Sequence, residues 1–460
     1  MRNIAILLML TVLTMPTAAL ADSEEMLAVA AHASKDSLAV LSFTYTTDIG
    51  KTEVTAMAVC VDADGLFMTL ATDANMNPES FSDMTLRQPG VGGKSVSGEL
   101  IGIDEETNIG FVKAQGDLKW KPIEFAKTSA LRIGQPIASA GLMPAETGNA
   151  PYFGAAYVSS LVRVPGRMVY VTGGKLTRSG SPVLNKEGKA VGIVWGQLPM
   201  ENQFIQIQQG RRVPVRTQGQ QETSFFVPVE EFAHVLAQKG KQRTLSWIGV
   251  LKFKPVTEDT AAVLKLERPG VQIEQIIPDT SGAKAGLKER DVIIELNGQP
   301  IEELGTPALT RNNLMLKIRR IAPGTPLKLT VFRDGKMIPI DVTTEPMPKS
   351  PLQAERFFSR DFGLSVRERV MLDNYMEDSP VAKVPGLIVN FVIQNSPAHR
   401  GLVRRGDVIV AIDGKDIRTV DEFKTTIEAA MKDANVDQIK MDVMRGDRKE
   451  SLTLPISRQG

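Results

Sequence analysis

The sequence predicts a mainly β protein: one domain of antiparallel barrel type, followed by two copies of a smaller α+β unit. Three observations predict it. Short apolar segments broken by glycine turns run through the first half, with no helical period before Pro228–Lys241. An internal repeat occupies the second half, where Ser281–Ile301 matches Asn395–Ile417. The length, 460 residues, suits about three domains.

Composition narrows the function classes. Lys and Arg number 54 against 53 Asp and Glu, so the net charge of +1 gives no general attraction to nucleic acid or to anionic membranes. Aromatic residues make up 5%, too few for base-stacking platforms. Cys60 is the single cysteine, so no internal disulfide can form and the cores must carry the stability. Cys60 sits in an apolar strand and reads as a small core residue. No metal-ligand spacing and no phosphate-cradling glycine loop occurs, and no cofactor is expected.

The N-terminus begins with Arg2, continues with an apolar run from Ile4 to Met15, and reaches the small-x-small site Ala19-Leu20-Ala21. That order is a secretory signal peptide over residues 1–21, cut before Asp22. Pro16 ends the run early for a bilayer span, and no other stretch is long and apolar enough to cross. A periplasmic or secreted protein is expected, with no stable membrane span after cleavage.

The mature first domain is read over 22–241. Its strands include "SLAVLSFTYT", "TAMAVCVDADGLFMTLAT" and "GELIGIDEETNIGFVKA". A helix is expected to close it over Pro228–Lys241, with Val229, Phe232 and Leu236 on one face and Gly240 at its end. The repeat units follow at 244–346 and 358–458, joined by a proline-rich linker at 347–357. In each unit a small-residue turn precedes Asp-Val-Ile, a strand start. Asn297-Gly298 or Asp413-Gly414 then closes the strand with a tight turn. The first copy is read as one residue shorter between Leu287 and Asp291. Thr419 and Glu422 form a capping box before Phe423, Ile427 and Ala430.

The two units resemble PDZ domains of the bacterial HtrA type, which are α+β, partly open β-barrels. The resemblance implies that each starts with a carboxylate-binding loop: Trp247, Ile248, Gly249 and Val250 in the first, and Phe362, Gly363 and Leu364 in the second. Such a loop aims successive backbone N–H groups at one point, and a glycine permits the turn. The strand after it offers an unpaired edge to which a peptide C-terminus adds as an extra strand. Two such sites on one chain would add avidity if both engage together.

The first domain is similar to the HtrA protease domain, a trypsin-like double β-barrel. "KLTRSGSPVLNKEGKAVGIV" resembles its nucleophile loop, "VDADGLFMTLAT" the strand before its histidine, and "IDEETNIGFVKA" the strand at its aspartate. Carried over singly, the serine position is Ser179, the histidine position holds Thr72 and the aspartate position holds Asn108. Threonine cannot act as the base that a serine nucleophile needs. Loss of the base alone costs on the order of 10⁶-fold in turnover. The family's Gly-Asn-Ser-Gly-Gly is Thr177, Arg178, Ser179, Gly180, Ser181 here, so the glycine that supplies an oxyanion N–H is replaced by a β-branched residue. None of His32, His234 and His399 falls where the fold would aim it at Ser179. Lys175 reads as a solvated turn lysine.

The resemblance therefore implies an exported pseudoprotease. It would bind exported or envelope proteins through their C-termini or extended segments, as scaffold, chaperone-like holder or regulator in protein quality control. It would do so as a homo-oligomer or in a mixed oligomer with an active relative. Two readings stand beside it: an active serine endopeptidase using Ser179 with an unconventional base, and a structural envelope protein whose PDZ units make only fixed contacts.

Overall fold

The protein is described here by a computed structural model covering residues 17–47, 50–71, 80–127, 129–208, 211–241, 243–375 and 384–456. Residues 1–16 of the expected signal peptide lie outside the described residues. Strands β1 (Leu38–Thr47), β2 (Gly50–Asp62), β3 (Leu66–Leu70), β4 (Phe81–Arg87), β5 (Ser95–Asp104) and β6 (Ile109–Gln115) close into a barrel in the order β1-β2-β3-β6-β5-β4. Strand β1 shows how the sequence builds it. Its side chains alternate between two apolar environments. Ala39 and Leu41 point inward to Cys60, Phe67, Leu86 and Val112, whereas Leu38 and Val40 pack against the second barrel. Cys60 is buried as expected, and burial pushes its thiol up to about 11.

The second barrel holds β7 (Pro136–Leu142), β8 (Pro151–Val164), β9 (Gly166–Thr172), β10 (Pro182–Leu184), β11 (Ala190–Gln208) and β12 (Arg211–Pro228), in the order β10-β11-β12-β9-β8-β7. Ile137, Val169, Val183, Val191, Val194 and Phe226 fill it. Between the barrels lies a helix that the sequence reading missed, α1 (Thr17–Ser34), which buries Met26 and Ala30. Its two apolar anchors are one turn apart in an alanine-rich stretch, too weak a period to stand out beside the expected cleavage site. That site falls inside α1. The closing segment also differs from the expected long helix. A 3-10 turn at Val229–Glu231 precedes the short α2 (Ala233–Ala237). With about three residues per turn at the start, the buried stripe is Val229, Phe232 and Val235, and Leu236 is only half-buried.

The first repeat unit contains β13 (Ser246–Trp247), β14 (Val250–Pro255), α3 (Glu258–Leu264), β15 (Val271–Ile276), α4 (Ser281–Ala285), β16 (Val292–Leu296), β17 (Gln299–Pro300), α5 (Pro307–Arg319), β18 (Pro326–Arg333), β19 (Lys336–Thr343) and β20 (Glu345–Pro346). Its sheet runs β14-β15-β16-β18-β19, and β13 pairs with β20. The second unit contains β21 (Arg356–Ser359), β22 (Leu364–Arg367), β23 (Leu387–Val392), α6 (Pro397–Arg400), β24 (Val408–Ile412), β25 (Lys415–Asp416), α7 (Val420–Lys432), β26 (Gln438–Arg445) and β27 (Arg448–Pro455), in the sheet order β21-β22-β23-β24-β26-β27. The capping box at Thr419 and Glu422 forms.

The repeats superpose in hydrogen bonding without a gap, which corrects the expected one-residue difference. Leu287 N–H donates to Gly282 as Val403 donates to Ala398, and Ile273 donates to Asp291 as Val389 donates to Asp407. The Gly-Leu pairs are thus one position out of step. Gly286 corresponds to Leu402, and both take positive φ. The aspartate of each Asp-Val-Ile is the electrostatic centre of its unit. Asp291, 1% exposed, pairs in bidentate fashion with Arg333 at 2.5 and 2.6 Å, and Asp407, 2% exposed, pairs with Arg445 at 2.8 and 2.7 Å. Each also accepts a backbone N–H, from Lys288 or Arg404.

Charged groups also tie the first barrel to the first repeat unit. Glu106 accepts from Arg243 at 2.6 Å and from Arg320 at 2.7 Å, and Asp104 and Glu231 lie 3.6 Å from the same two guanidiniums. His234 packs beside them. Its Nε2 is buried without a partner among the described residues, and burial together with Arg243 holds its pKa below the ordinary value.

Three outcomes are expected. Replacing Asp407 by Ala strands Arg445 and an N–H, so the second unit loses about 3–5 kcal/mol in urea unfolding. Asp416→Ala, at an exposed pair with Arg418, changes stability by about 1 kcal/mol or less. His234 resists protonation when folded, whereas the unfolded chain takes up its proton near the ordinary value of about 6.5. The unfolded state thus binds more protons as pH falls below that value, so stability drops between pH 7.5 and 5.5. In His234→Gln that drop is smaller.

Candidate functional site

Ser179 sits at the tip of a turn that β11 holds in place. Gly180 N–H donates to Val194 C=O at 2.7 Å, Val194 N–H donates to Ser181 C=O at 2.8 Å, and Ser181 N–H closes on Arg178 C=O at 3.2 Å. Gly180 has φ +84° and lies against Leu70, where an added Cβ would come within 3.3 Å. The turn therefore stands directly on the end of β3. Ser179 and Arg178 are exposed, and neither side chain has a polar partner among the described residues.

Thr177 faces the other way. It is 2% exposed; its N–H donates to the buried Ser139 Oγ at 2.8 Å, and its own hydroxyl lies 3.0 Å from the same oxygen. Gly141 makes room for it, since a Cβ there would meet the Thr177 side chain at 2.8 Å. The N–H that an oxyanion hole would need is thus turned into the second barrel. A donor must stand about 2.7–3.1 Å from the developing oxyanion to help.

Of the other two expected positions, Asn108 lies in the turn after β5 with φ +53°, and its C=O accepts the Ala71 N–H at 2.8 Å. The end of β3, the Asn108 turn and the Ser179 turn therefore converge at one end of the first barrel. Thr72, which follows Ala71, lies outside the described residues. The cavity beside Ser179 includes Leu70, Ala71 and Gly110, and among its described lining residues there is no histidine, lysine or carboxylate. His32 is exposed on α1, His234 belongs to the charged cluster at α2, and His399 is exposed on α6.

In the first repeat unit a glycine turn stands where the carboxylate-binding loop was expected. Gly249 has φ +76°, and an added Cβ would stand 1.9 Å from Thr280 Oγ1, so only glycine fits. Ile248 and Val250 are buried, and Trp247 packs on Val370 and Leu372 of the second unit. Among the described residues, strand β14 pairs with β15 on one side only. Between β14 and α5 lies a groove of about 70 Å³, lined by Ile248, Val250, Phe253, Met315 and Ile318 and roofed by Met347, Pro348 and Leu372.

The second unit corrects the expectation of an open edge. Its loop has the same build: Gly363 at φ +62° stands against Ser396, and Phe362 and Leu364 are fully buried. But β21 pairs antiparallel with β22 along its whole length, Arg356 opposite Arg367 through Ser359 opposite Leu364. Phe357 turns its ring onto Phe423 of α7, 6.1 Å between centroids. Gly363 N–H already donates to Arg360 C=O at 3.2 Å. The chain's own strand thus occupies the place a peptide would take. The sequence signal was present in Arg356-Phe-Phe-Ser, a β-prone run ahead of the loop, but it straddled the boundary read between linker and second unit at 357/358.

Among the described residues no cluster of side chains suits a metal ion, and no helix is long and apolar enough to cross a membrane.

Comparison with known proteins agrees with this architecture. The model of the trypsin-like peptidase domain matches residues 56–193, and the PDZ domain model matches 252–344 and 361–456. A "Probable periplasmic serine endoprotease DegP-like" of Brucella suis biovar 1 (strain 1330) is 27% identical over 386 residues, covering 80% of this chain and 68% of the relative. Its counterpart in Bartonella henselae is 28% identical over 383 residues, covering 79% and 68%. The "Periplasmic pH-dependent serine endoprotease DegQ" of Escherichia coli (strain K12) is 24% identical over 351 residues, covering 73% and 68%. Among solved structures, "HtrA-type protease AlgW with decapeptide" aligns with a TM-score of 0.52 at 18% identity, covering 70% of this chain and 99% of that one, a likeness of fold. With two closed six-stranded barrels and two PDZ units in this order, the chain belongs to the HtrA/DegP-like family, trypsin-like peptidase domain first and paired PDZ domains after it.

Proposed function

We propose that this chain is an exported pseudoprotease of the family. It holds protein C-termini or extended segments of other exported proteins as scaffold, chaperone-like holder or regulator in envelope protein quality control. The observation that carries the reading is the inward Thr177 N–H on Ser139 Oγ. It removes an oxyanion donor from a serine whose histidine and aspartate positions hold Thr72 and Asn108. A serine hydroxyl without a base is a poor nucleophile, and a missing oxyanion donor costs roughly a further 10²–10³-fold. The signal-peptide pattern, and the periplasmic relatives, favour a periplasmic location. Assembly into homo-oligomers, or mixed ones with an active relative, belongs to the same proposal.

Peptide capture is assigned to the first PDZ domain. Its Gly249 loop and the free side of β14 suit a C-terminal carboxylate followed by an extended strand. The second domain contributes its fold and the wall formed by Leu372.

Two measurements test the reading. The mature chain incubated with an unfolded protein substrate is expected to show no turnover, and Ser179→Ala to behave the same. Turnover that vanishes in Ser179→Ala would establish an active peptidase instead. Peptides with a free apolar C-terminus are expected to bind, and their C-terminal amides to bind about tenfold or more weakly, because a charged hydrogen-bonded group is lost. Met315→Trp fills the groove and abolishes binding. Binding that persists in Met315→Trp would rule out this groove.

A further inference from the structure

We propose that residues 345–359, the stretch between the two PDZ domains, form a strap that regulates peptide capture. Its Met347-Pro348 end shuts the groove of the first domain and must lift before a peptide C-terminus enters. This rests on the reading that the first PDZ domain captures peptides, and it adds the step that controls capture.

The groove between β14 and α5 holds about 70 Å³, with Met347 and Pro348 in its wall. An apolar cavity of roughly 150 Å³ is the size that takes up benzene. The groove as it stands is therefore too tight for a leucine or phenylalanine side chain. The strap reaches this wall from β20, whose pairing with β13 sets Ser246 opposite Pro346 and Trp247 opposite Glu345. Met347 N–H then donates to Leu245 C=O at 2.8 Å.

The two ends of the strap are held unequally. At the far end β21 pairs with β22 from Arg356 through Ser359, and Phe357 seats on Phe423. That end takes the place of a ligand in the second domain and stays fixed. The near end has the short β13–β20 ladder, the Met347 N–H bond and only half-buried side chains at Met347 and Pro348. Between the ends, Lys349 and Leu352 are exposed, and Ser350 N–H donates to Gln353 Oε1 at 2.7 Å. Gln353 also donates to Glu105 of the first barrel, and the fully buried Ala354 packs with Trp247 and Leu372. A segment with few buried contacts opens at low free-energy cost. The Met347 end is therefore the part that lifts, with Ala354 and β21 as its anchor. One stretch thus sits on the peptide-binding face of both domains, removable at one end and fixed at the other.

The test is binding of a fluorescein-labelled peptide with a C-terminal valine to the mature chain, read by anisotropy, with hydrogen–deuterium exchange followed on the same samples. A lifted form that makes up about a tenth of the population lowers the apparent affinity about tenfold. Met347→Ala is accordingly expected to raise the affinity about tenfold. Gln353→Ala, which frees the strap at a residue outside the groove, is expected to raise it severalfold. Peptide binding is expected to speed exchange over residues 347–353 and to leave β21 protected. Binding that leaves this exchange unchanged or slower, or an affinity that Met347→Ala or Gln353→Ala fails to raise, overturns the strap and leaves the capture reading standing. No binding to the parent chain or to Met347→Ala overturns the capture reading, and the strap with it.

Discussion

The Thr177 N–H bond to the buried Ser139 hydroxyl sets the geometry of the turn that carries Ser179. It fixes the residue two before the serine inside the second barrel. The turn that follows is then held by β11 through Gly180 and Val194, with Ser179 at its tip. An active site needs this stretch to present N–H groups outward. Here threonine packs its Cβ and hydroxyl into the space left by Gly141, so the inward orientation is supported by side-chain packing as well as by the hydrogen bond. A glycine at 177 would keep the N–H donor but lose the side-chain packing and the hydroxyl contact.

A second constraint runs through all three domains: the management of sheet edges. Both barrels close, so neither leaves an edge. The second PDZ domain covers its edge with β21, a strand of the same chain whose Phe357 seats on α7. In the first PDZ domain β14 ends its sheet, beside a glycine loop and partly roofed by the linker and by Leu372. A partly roofed edge can accept a strand selectively without inviting indiscriminate association.

Much of this was legible in the sequence. The alternation in "SLAVLSFTYT" requires a strand buried on both faces, and the structure places Ala39 and Leu41 in one core and Leu38 and Val40 in another. Gly249 and Gly363 were identifiable because a carboxylate loop needs positive φ, which both adopt. Helix α1 was hidden because its stripe is short and alanine-rich. The repeat register was misread because the Gly-Leu pairs look equivalent, whereas left-handed turns fall at Gly286 and Leu402. The β21 pairing and the Ser139 contact are encounters between residues far apart or in apparent linker, which local pattern does not encode.

The central claim, that Ser179 is no longer a nucleophile, meets its most direct test in covalent labelling. A serine-directed phosphonate reacts only with a hydroxyl that a base and an oxyanion hole activate. Intact-mass analysis of the mature chain after prolonged exposure is predicted to show unmodified protein. An adduct that maps to Ser179 and is absent from Ser179→Ala would contradict the account.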